Sequence, residues 1–197
     1  MTGPQSNGGN VAWEQFKQKQ LDGRLQIVAG YLANKIEGMN LFDLNCGTAP
    51  LLDWLPPVWN WYAGNDTCKE FIYEAIDREK PRCSFDIIDD ESLPSWLNEE
   101  FKYNIDCLIV MGYAARLNPM ESQTIEETIY RLVDEHQPEI VVLDGWAGLP
   151  NDVFFQTVVS GLSADFDYKI EYAWFLRPVV QNGTYQHRDI YFLEKDA

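Results

Sequence analysis

Residues 39–50 combine the residue types that a ligand-binding turn requires. The apolar pair Leu41 and Phe42 leads into acidic Asp43, and a turn of small residues that includes Gly47 follows. A turn without bulky side chains lets the backbone approach a ligand closely, and a helix that begins after it directs free N–H groups to the same place. The segment therefore predicts a strand, a binding turn and a helix in succession.

A second acidic residue follows at the spacing expected of a nucleoside site. Asp66 comes after the apolar run of residues 59–63 and after Gly64. A carboxylate that ends a second strand about 20 residues downstream of such a turn can accept hydrogen bonds from ribose hydroxyls. Together the two segments predict that a nucleoside-bearing cofactor binds here. Capping of the next helix is the alternative role, because Asp is a favoured N-cap residue.

Composition limits the class of protein. The 197 residues suit one globular domain, since 46% of them are hydrophobic. The net charge of −16 disfavours nucleic-acid substrates, whose phosphates would be repelled, and no cluster of Lys and Arg offsets it. The four cysteines lack metal-ligand spacing, so we expect reduced thiols and a cytoplasmic protein. No signal peptide or membrane-spanning run is recognisable, and residues 1–10 resemble a flexible tail.

The elements that must position these residues follow from hydrophobic periodicity. Residues 11–38 are predicted to form N-terminal helices, and residues 39–197 an α/β core, in a single domain. Strands are predicted over residues 40–44, 59–63, 82–88, 105–111, 140–143, 168–176 and 189–193. Helices are predicted from about residue 49, and over residues 68–79, 123–135 and 152–162. Asn182 and Gly183 indicate a hairpin between the last two strands.

The sum is an α/β protein with a single Rossmann-like, doubly wound sheet. The sheet is expected to be mostly parallel, with helices on both faces and a C-terminal antiparallel hairpin.

From about Leu21 onward the chain resembles the class I S-adenosylmethionine-dependent methyltransferases. Their first motif, acid-x-Gly-x-Gly-x-Gly, aligns with Asp43, Asn45, Gly47 and Ala49. Asp66 matches the acidic residue that ends their second strand. The segment DDESLP, residues 89–94, is similar to their third motif, and Asp106 opens the fourth strand as in many members.

The resemblance implies S-adenosylmethionine as cofactor and a role for each matching residue. Asp43 would hold the methionine ammonium group, and the turn from Asn45 through Gly47 to Ala49 would lie against the cofactor. The other implied contacts are Asp66 with the ribose, Asp89 and Asp90 with adenine, and Met111 and Gly112 with the sulfonium side, and Thr67 is a further cofactor-binding candidate. A solvated turn is the alternative for Asp89 and Asp90.

Two glycines of the first motif are replaced, by Asn45 and by Ala49. Asn tolerates a positive φ better than most residues, and Ala adds only a methyl group, so the turn is expected to form. A nicotinamide-binding fingerprint would need Gly at Asn45 and at Pro50, which disfavours an oxidoreductase.

Candidates for catalysis lie after later strands. They are Tyr113, Asp144 and His187, and the acceptor pocket would use Tyr113, Arg116, Trp146 and Trp13. Catechol-type methyltransferases have a metal ligand at the position of Asp144, but the fourth strand here ends without a second carboxylate, so no metal is expected. His136 is interpreted as a cap of its helix.

We therefore predict a methyltransferase that transfers a methyl group to a small molecule by in-line displacement at the sulfonium. The expected partners include no nucleic acid and no membrane, and a homodimer is possible. The alternative is a catalytically inactive methyltransferase-like scaffold with a binding or regulatory role.

Overall fold

The computed structural model describes residues 23–89, 92–99, 101–111, 119–146, 150–178 and 185–196. Within them the helices are α1 (residues 23–32), a 3-10 helix (Pro50–Asp53), α2 (Lys69–Ile76), α3 (Leu93–Glu99), α4 (Pro119–His136) and α5 (Pro150–Phe166). The strands are β1 (Asn40–Leu44), β2 (Trp61–Asp66), β3 (Cys83–Ile87), β4 (Cys107–Val110), β5 (Ile140–Trp146), β6 (Tyr168–Pro178) and β7 (Tyr185–Lys195).

All seven strands belong to one sheet with the order β3-β2-β1-β4-β5-β7-β6. The strands β1 to β5 pair in parallel, whereas β7 is antiparallel to both β5 and β6. The predicted α/β class, with a mostly parallel sheet and a C-terminal antiparallel pair, is therefore confirmed.

Alternate residues of the central strands enter two separate cores. On one face, apolar residues of α1, the 3-10 helix and α2 pack on Leu41, Ile109 and Val142. On the other face, α3, α4 and α5 pack on Phe42 and Leu108. Because successive side chains of a strand point to opposite faces, a parallel strand covered on both sides is apolar throughout, as the four buried residues of β4 are.

Several predicted elements differ from the structure. The helix expected after the first turn is only the four-residue 3-10 helix, although Leu51, Leu52 and Leu55 are buried. The helix α3 was not predicted. Strand β2 begins two residues later than predicted and includes Asp66, while β6 and β7 are longer. Most of these differences concern element ends, where propensity is weakest.

The N-terminal part of the chain is described only from residue 23. The predicted tail of residues 1–10 and the predicted helix of residues 11–20 lie outside the described residues. The helix α1 is attached to β7, because the ring of Tyr31 stacks on Phe192 with centroids 3.8 Å apart and Lys35 pairs with Glu194. None of the described helices is long and apolar enough to cross a membrane.

Candidate cofactor site

The two predicted acidic residues come together at the carboxyl ends of β1 and β2. Asp43 pairs with Gly64 in the parallel ladder, and Asp66 is the last residue of β2. The turn from Asn45 to Ala49 leaves β1 between them. Ligands of open parallel sheets bind at this edge, so the position predicted from the sequence is the one that the fold provides.

The turn uses the left-handed backbone region three times. Asn45 has φ 58°, Gly47 φ 58° and Ala49 φ 49°. Asn at the first position is a fitting substitute for Gly, because its short polar side chain tolerates this region. Ala49 was expected to add only a methyl group, but it also occupies a conformation that L-residues disfavour. The turn thus keeps its shape despite both replacements.

Asn65 holds this turn in place, and the sequence analysis did not single it out. Its side-chain oxygen accepts the N–H of Asn45 at 3.2 Å, and its backbone oxygen accepts that of Cys46 at 2.8 Å. Its amide nitrogen donates to the Ile88 carbonyl at 3.1 Å, so Asn65 also connects the turn to the residue that follows β3. Asn65 is fully buried, so these bonds satisfy a polar group within the core. The available signal was a polar residue beside Asp66, directly after the predicted second strand.

Asp66 also binds the turn. Its Oδ2 accepts the Gly47 N–H at 3.0 Å, and its Oδ1 accepts the Cys68 N–H at 2.8 Å, at the start of α2. The alternative role of Asp66 as the cap of the next helix is not observed, because the N-cap residue of α2 is Cys68 and Asp66 accepts the N–H of Cys68 itself. A carboxylate has about four acceptor positions, so these two bonds leave capacity for hydroxyl donors.

Asp43 is buried beneath the turn, with 4% of its surface exposed. The hydroxyl of Tyr62 donates to its Oδ2 at 2.5 Å. Burial raises the pKa of Asp43 from 3.8 to about 7, the Tyr62 hydrogen bond opposes that rise, and the charge of Asp66 adds to it. At neutral pH this carboxyl group is therefore divided between its two protonation states, and a cation bound beside it would favour the ionised form.

One buried polar atom in this turn indicates which kind of ligand the turn could accept. The side-chain nitrogen of Asn45 is buried and has no hydrogen-bond partner among the described residues. A buried donor without a partner is destabilising by about 1–3 kcal/mol, which a ligand acceptor would relieve. Together with the carboxylates of Asp43 and Asp66, this donor fits a ligand that has both cationic and acceptor groups.

Arg78 supports the turn from outside. Its Nε donates to the Thr48 carbonyl at 2.7 Å, and its guanidinium group pairs with Asp53 of the 3-10 helix. A long helix usually follows such a turn, but here one 3-10 turn does, and Arg78 at the end of α2 provides a second attachment. Sequence reasoning missed Arg78, because its contact depends on how α2 packs.

The predicted adenine and sulfonium contacts are described only in part. Asp89 is exposed and its Oδ1 accepts the Ser92 N–H at 2.8 Å before α3, which fits the solvated-turn alternative. Thr67 is exposed beside Asp66, and Met111 is half-buried after β4. Asp90 and Gly112 lie outside the described residues.

Asp144 is at the end of β5 as predicted, but it is fully buried and forms an ion pair with Arg24 of α1. A buried carboxylate held by a guanidinium is a poor general base, because neutralising it leaves the buried cation unpaired. We therefore assign Asp144 a structural role. Within the described residues no cluster of potential ligands could hold a metal ion.

The remaining candidates fall in parts of the chain that the structure does not describe in full. Trp13, Tyr113 and Arg116 lie outside the described residues, and only the backbone is described for Trp146 and His187. His136 ends α4 at the opposite edge of the sheet, where its carbonyl accepts a hydrogen bond from Asn104. Burial lowers the pKa of His136. It is thus remote from the carboxyl ends of the parallel strands.

Comparison with known proteins rests on the fold. No family model matches the sequence, and no curated protein sequence matches it significantly. Magnesium protoporphyrin IX methyltransferase from Synechocystis PCC 6803, with bound SAM, superimposes with a TM-score of 0.62 at 12% identity, over 99% of this chain and 87% of that chain. The methyltransferase domain of a bacterial Hen1 has a TM-score of 0.62 at 17% identity, over 88% of this chain and 97% of that chain.

An rRNA methylase from Streptococcus thermophilus has a TM-score of 0.59 at 14% identity, over 87% of this chain and 95% of that chain. The chain therefore has the fold of the S-adenosylmethionine-dependent methyltransferases, which confirms the resemblance at the level of the fold.

The last comparison corrects one prediction. A small-molecule acceptor with no nucleic acid was expected from the net charge of −16, yet an rRNA methylase has the same fold. Net charge is a sum over the whole chain and does not describe the local potential at a cleft. The exclusion of nucleic acid is therefore wrong.

Proposed function

We propose that this protein is an S-adenosylmethionine-dependent methyltransferase. The observation that supports this most directly is the arrangement of Asp43 and Asp66. Both lie at the carboxyl edge of a sheet of the methyltransferase fold, on either side of a turn with three left-handed residues. Solved structures of this fold include one with bound SAM and one with bound SAH.

Each end of the cofactor has a proposed set of contacts. Asp43 would hold the ammonium group of its methionine part, and Asn45, Gly47 and Ala49 would contact the same part. Asp66 and Thr67 would contact the ribose. The remaining proposed contacts are Asp89 and Asp90 with adenine, and Met111 and Gly112 near the sulfonium.

When bound, the cofactor supplies an electrophilic methyl group on sulfur. The chain's own contribution would be to hold the acceptor atom in line with that methyl group, at about 3 Å, because alignment alone supplies much of the rate enhancement in such displacements. The acceptor pocket is proposed to be lined by Tyr113 and Arg116 after β4 and by Trp146 at the end of β5, with Trp13 and His187 as further candidates.

A binding or regulatory role without methyl transfer is the second candidate. It is favoured by the short 3-10 helix after the turn and by Ala49 in a left-handed conformation. Ala49 also replaces the third glycine of the motif, so cofactor affinity is the property that separates the two functions.

The test is calorimetric titration with S-adenosylhomocysteine, S-adenosylmethionine and NADH, together with thermal unfolding. Saturation at 100 times the dissociation constant stabilises the native state by about 2.7 kcal/mol, which corresponds to roughly 5–10 °C for a chain of this length. Asp43→Asn should weaken binding of both adenosyl compounds. The matched control is Asp106→Asn, because Asp106 is bonded to Asn40 at the opposite edge of the sheet.

The proposal would be supported if the native protein binds both adenosyl compounds, Asp43→Asn weakens that binding and Asp106→Asn leaves it intact. A folded protein that binds neither compound would contradict it and favour the second candidate. Binding of NADH alone would contradict both.

A further inference from the structure

Tyr62 is fully buried in β2, and its ring is held from two sides. The centroids of Trp59 and Phe85 each lie 6.1 Å from that of Tyr62. Its hydroxyl donates a hydrogen bond to Asp43 Oδ2 in the neighbouring strand β1, at 2.5 Å. Aromatic packing thus determines where the hydroxyl lies.

A Phe at position 62 would make the same ring contacts, so the Tyr62 hydroxyl is not needed for packing. Burying a hydroxyl without a partner is unfavourable, so the O–H of a buried Tyr normally bonds to a specific acceptor. Here that acceptor is the buried carboxyl group of Asp43. The bond therefore acts on Asp43 and not on the apolar core around the ring.

Among the residues that the structure describes, no basic group faces Asp43 from the neighbouring elements. The groups that face it are Tyr62 and Asp66 from β2, Cys46 from the turn and Cys107 from β4. Burial raises the pKa of both thiols, so they are neutral.

Among the described residues, the three buried or half-buried basic groups on or next to the helices that cover this face are paired with other acids, and Lys69 at the start of α2 is exposed. Arg24 pairs with Asp144, Lys35 with Glu194 and Arg78 with Asp53. Among the described contacts, Tyr62 is thus the group that donates to the ionised Asp43.

We propose that Tyr62 is a positioning residue for cofactor binding, which holds the Asp43 carboxylate in its ionised form to receive a cationic group. This inference rests on the proposed function, since the cationic group is the cofactor's ammonium. Tyr62 acts through Asp43 and does not itself contact the ligand.

The test compares the dissociation constants of S-adenosylhomocysteine for the native protein and Tyr62→Phe between pH 6 and pH 8.5. The ratio of the two constants cancels the titration of the ligand. Loss of the donor should raise the pKa of Asp43 by about one unit. The variant should then bind about tenfold more weakly at pH 6 and about fivefold at pH 7, with a ratio that approaches one at pH 8.5.

The matched control is Tyr168→Phe. Tyr168, the first residue of β6, is also buried, and its hydroxyl donates to the carbonyl of Pro138, just before β5 and away from the turn. Its ratio should stay near one at every pH. A ratio for Tyr62→Phe that is constant across pH would indicate a merely structural role and would overturn the inference.

A second measurement does not depend on the variant or on the cofactor. In the native protein, the NMR signal of the Tyr62 ring carbon bonded to oxygen should titrate with the same midpoint as the Asp43 carboxyl carbon. Independent titration of the two carbons would overturn the inference. Absence of S-adenosylhomocysteine binding at every pH would overturn the proposed function, while the NMR titration would still test the hydrogen bond.

Discussion

The sulfur of Cys46 lies directly against the α-carbon of Gly64. A Cβ built on Gly64 would be 2.7 Å from Cys46 Sγ and 2.9 Å from Cys46 Cβ, distances that real contacts do not show. The turn after β1 can therefore rest on β2 only because residue 64 has no side chain. This contact fixes the distance between the turn and the strand that ends in Asp66.

Gly64→Ala should displace the turn. We expect a loss of about 1–3 kcal/mol in the free energy of unfolding, typical of overpacking, together with weaker binding of S-adenosylhomocysteine. Urea denaturation and calorimetry measure the two effects. The control is Gly30→Ala in α1, where a Cβ meets nothing within 4 Å and should stabilise the helix by about 1 kcal/mol. Equal stability of Gly64→Ala and the native protein would contradict the packing argument.

Ala49→Gly should leave stability unchanged or raise it by up to about 1 kcal/mol. Relief of the left-handed conformation, with φ 49°, opposes the loss of a buried methyl group and the added freedom of the unfolded chain. Ala29→Gly, in the middle of α1, should instead lower stability by about 1 kcal/mol. Thermal unfolding of the two variants compares them directly. Equal destabilisation of both would show that residue 49 is not strained.

The free energy of unfolding should depend strongly on both partners of the buried ion pair between Arg24 and Asp144. Arg24→Met should lower stability by about 3–5 kcal/mol, because the buried carboxylate of Asp144 would lose the guanidinium group that pairs with it. The double variant Arg24→Met with Asp144→Leu should recover most of the loss, since both charges are then removed. Urea denaturation measures each step. Additive losses in the double variant would contradict this account.

Because of Asp43, the stability of the cofactor-free protein should depend on pH. Its pKa in the folded protein is about 7, above the 3.8 expected when unfolded, so the native state holds this proton more tightly. The resulting stabilisation is complete below about pH 4 and is lost as the pH rises through about 7. Asp43→Asn removes this dependence.

The gain in stability of Asp43→Asn over the native protein should therefore grow between about pH 4 and pH 8, by on the order of 4 kcal/mol. Urea denaturation at a series of pH values measures it. A difference between the two proteins that does not change with pH would show that the carboxyl group is not titrating in this range.

The sequence alone predicted the parallel sheet, because β1, β4 and β5 are short apolar runs covered on both faces. It also predicted Asp43 and Asp66 as neighbours at one edge, since parallel strands end on the same side. The tight turn was expected to survive its replaced glycines, and Asn45 has the left-handed backbone that this required.

Contacts between residues distant in the chain were decided only by the tertiary structure. The pairing of Arg24 with Asp144 spans 120 positions, and no local pattern relates them. The same holds for the bonds of Asn65 and Arg78 to the turn and for the packing of Cys46 on Gly64. Local periodicity encodes which face of an element is buried, whereas the partner met on that face depends on how the elements pack. The sequence therefore determined where the candidate residues of the proposed site lie, and the packing of β2, α1 and α2 decided which groups support them.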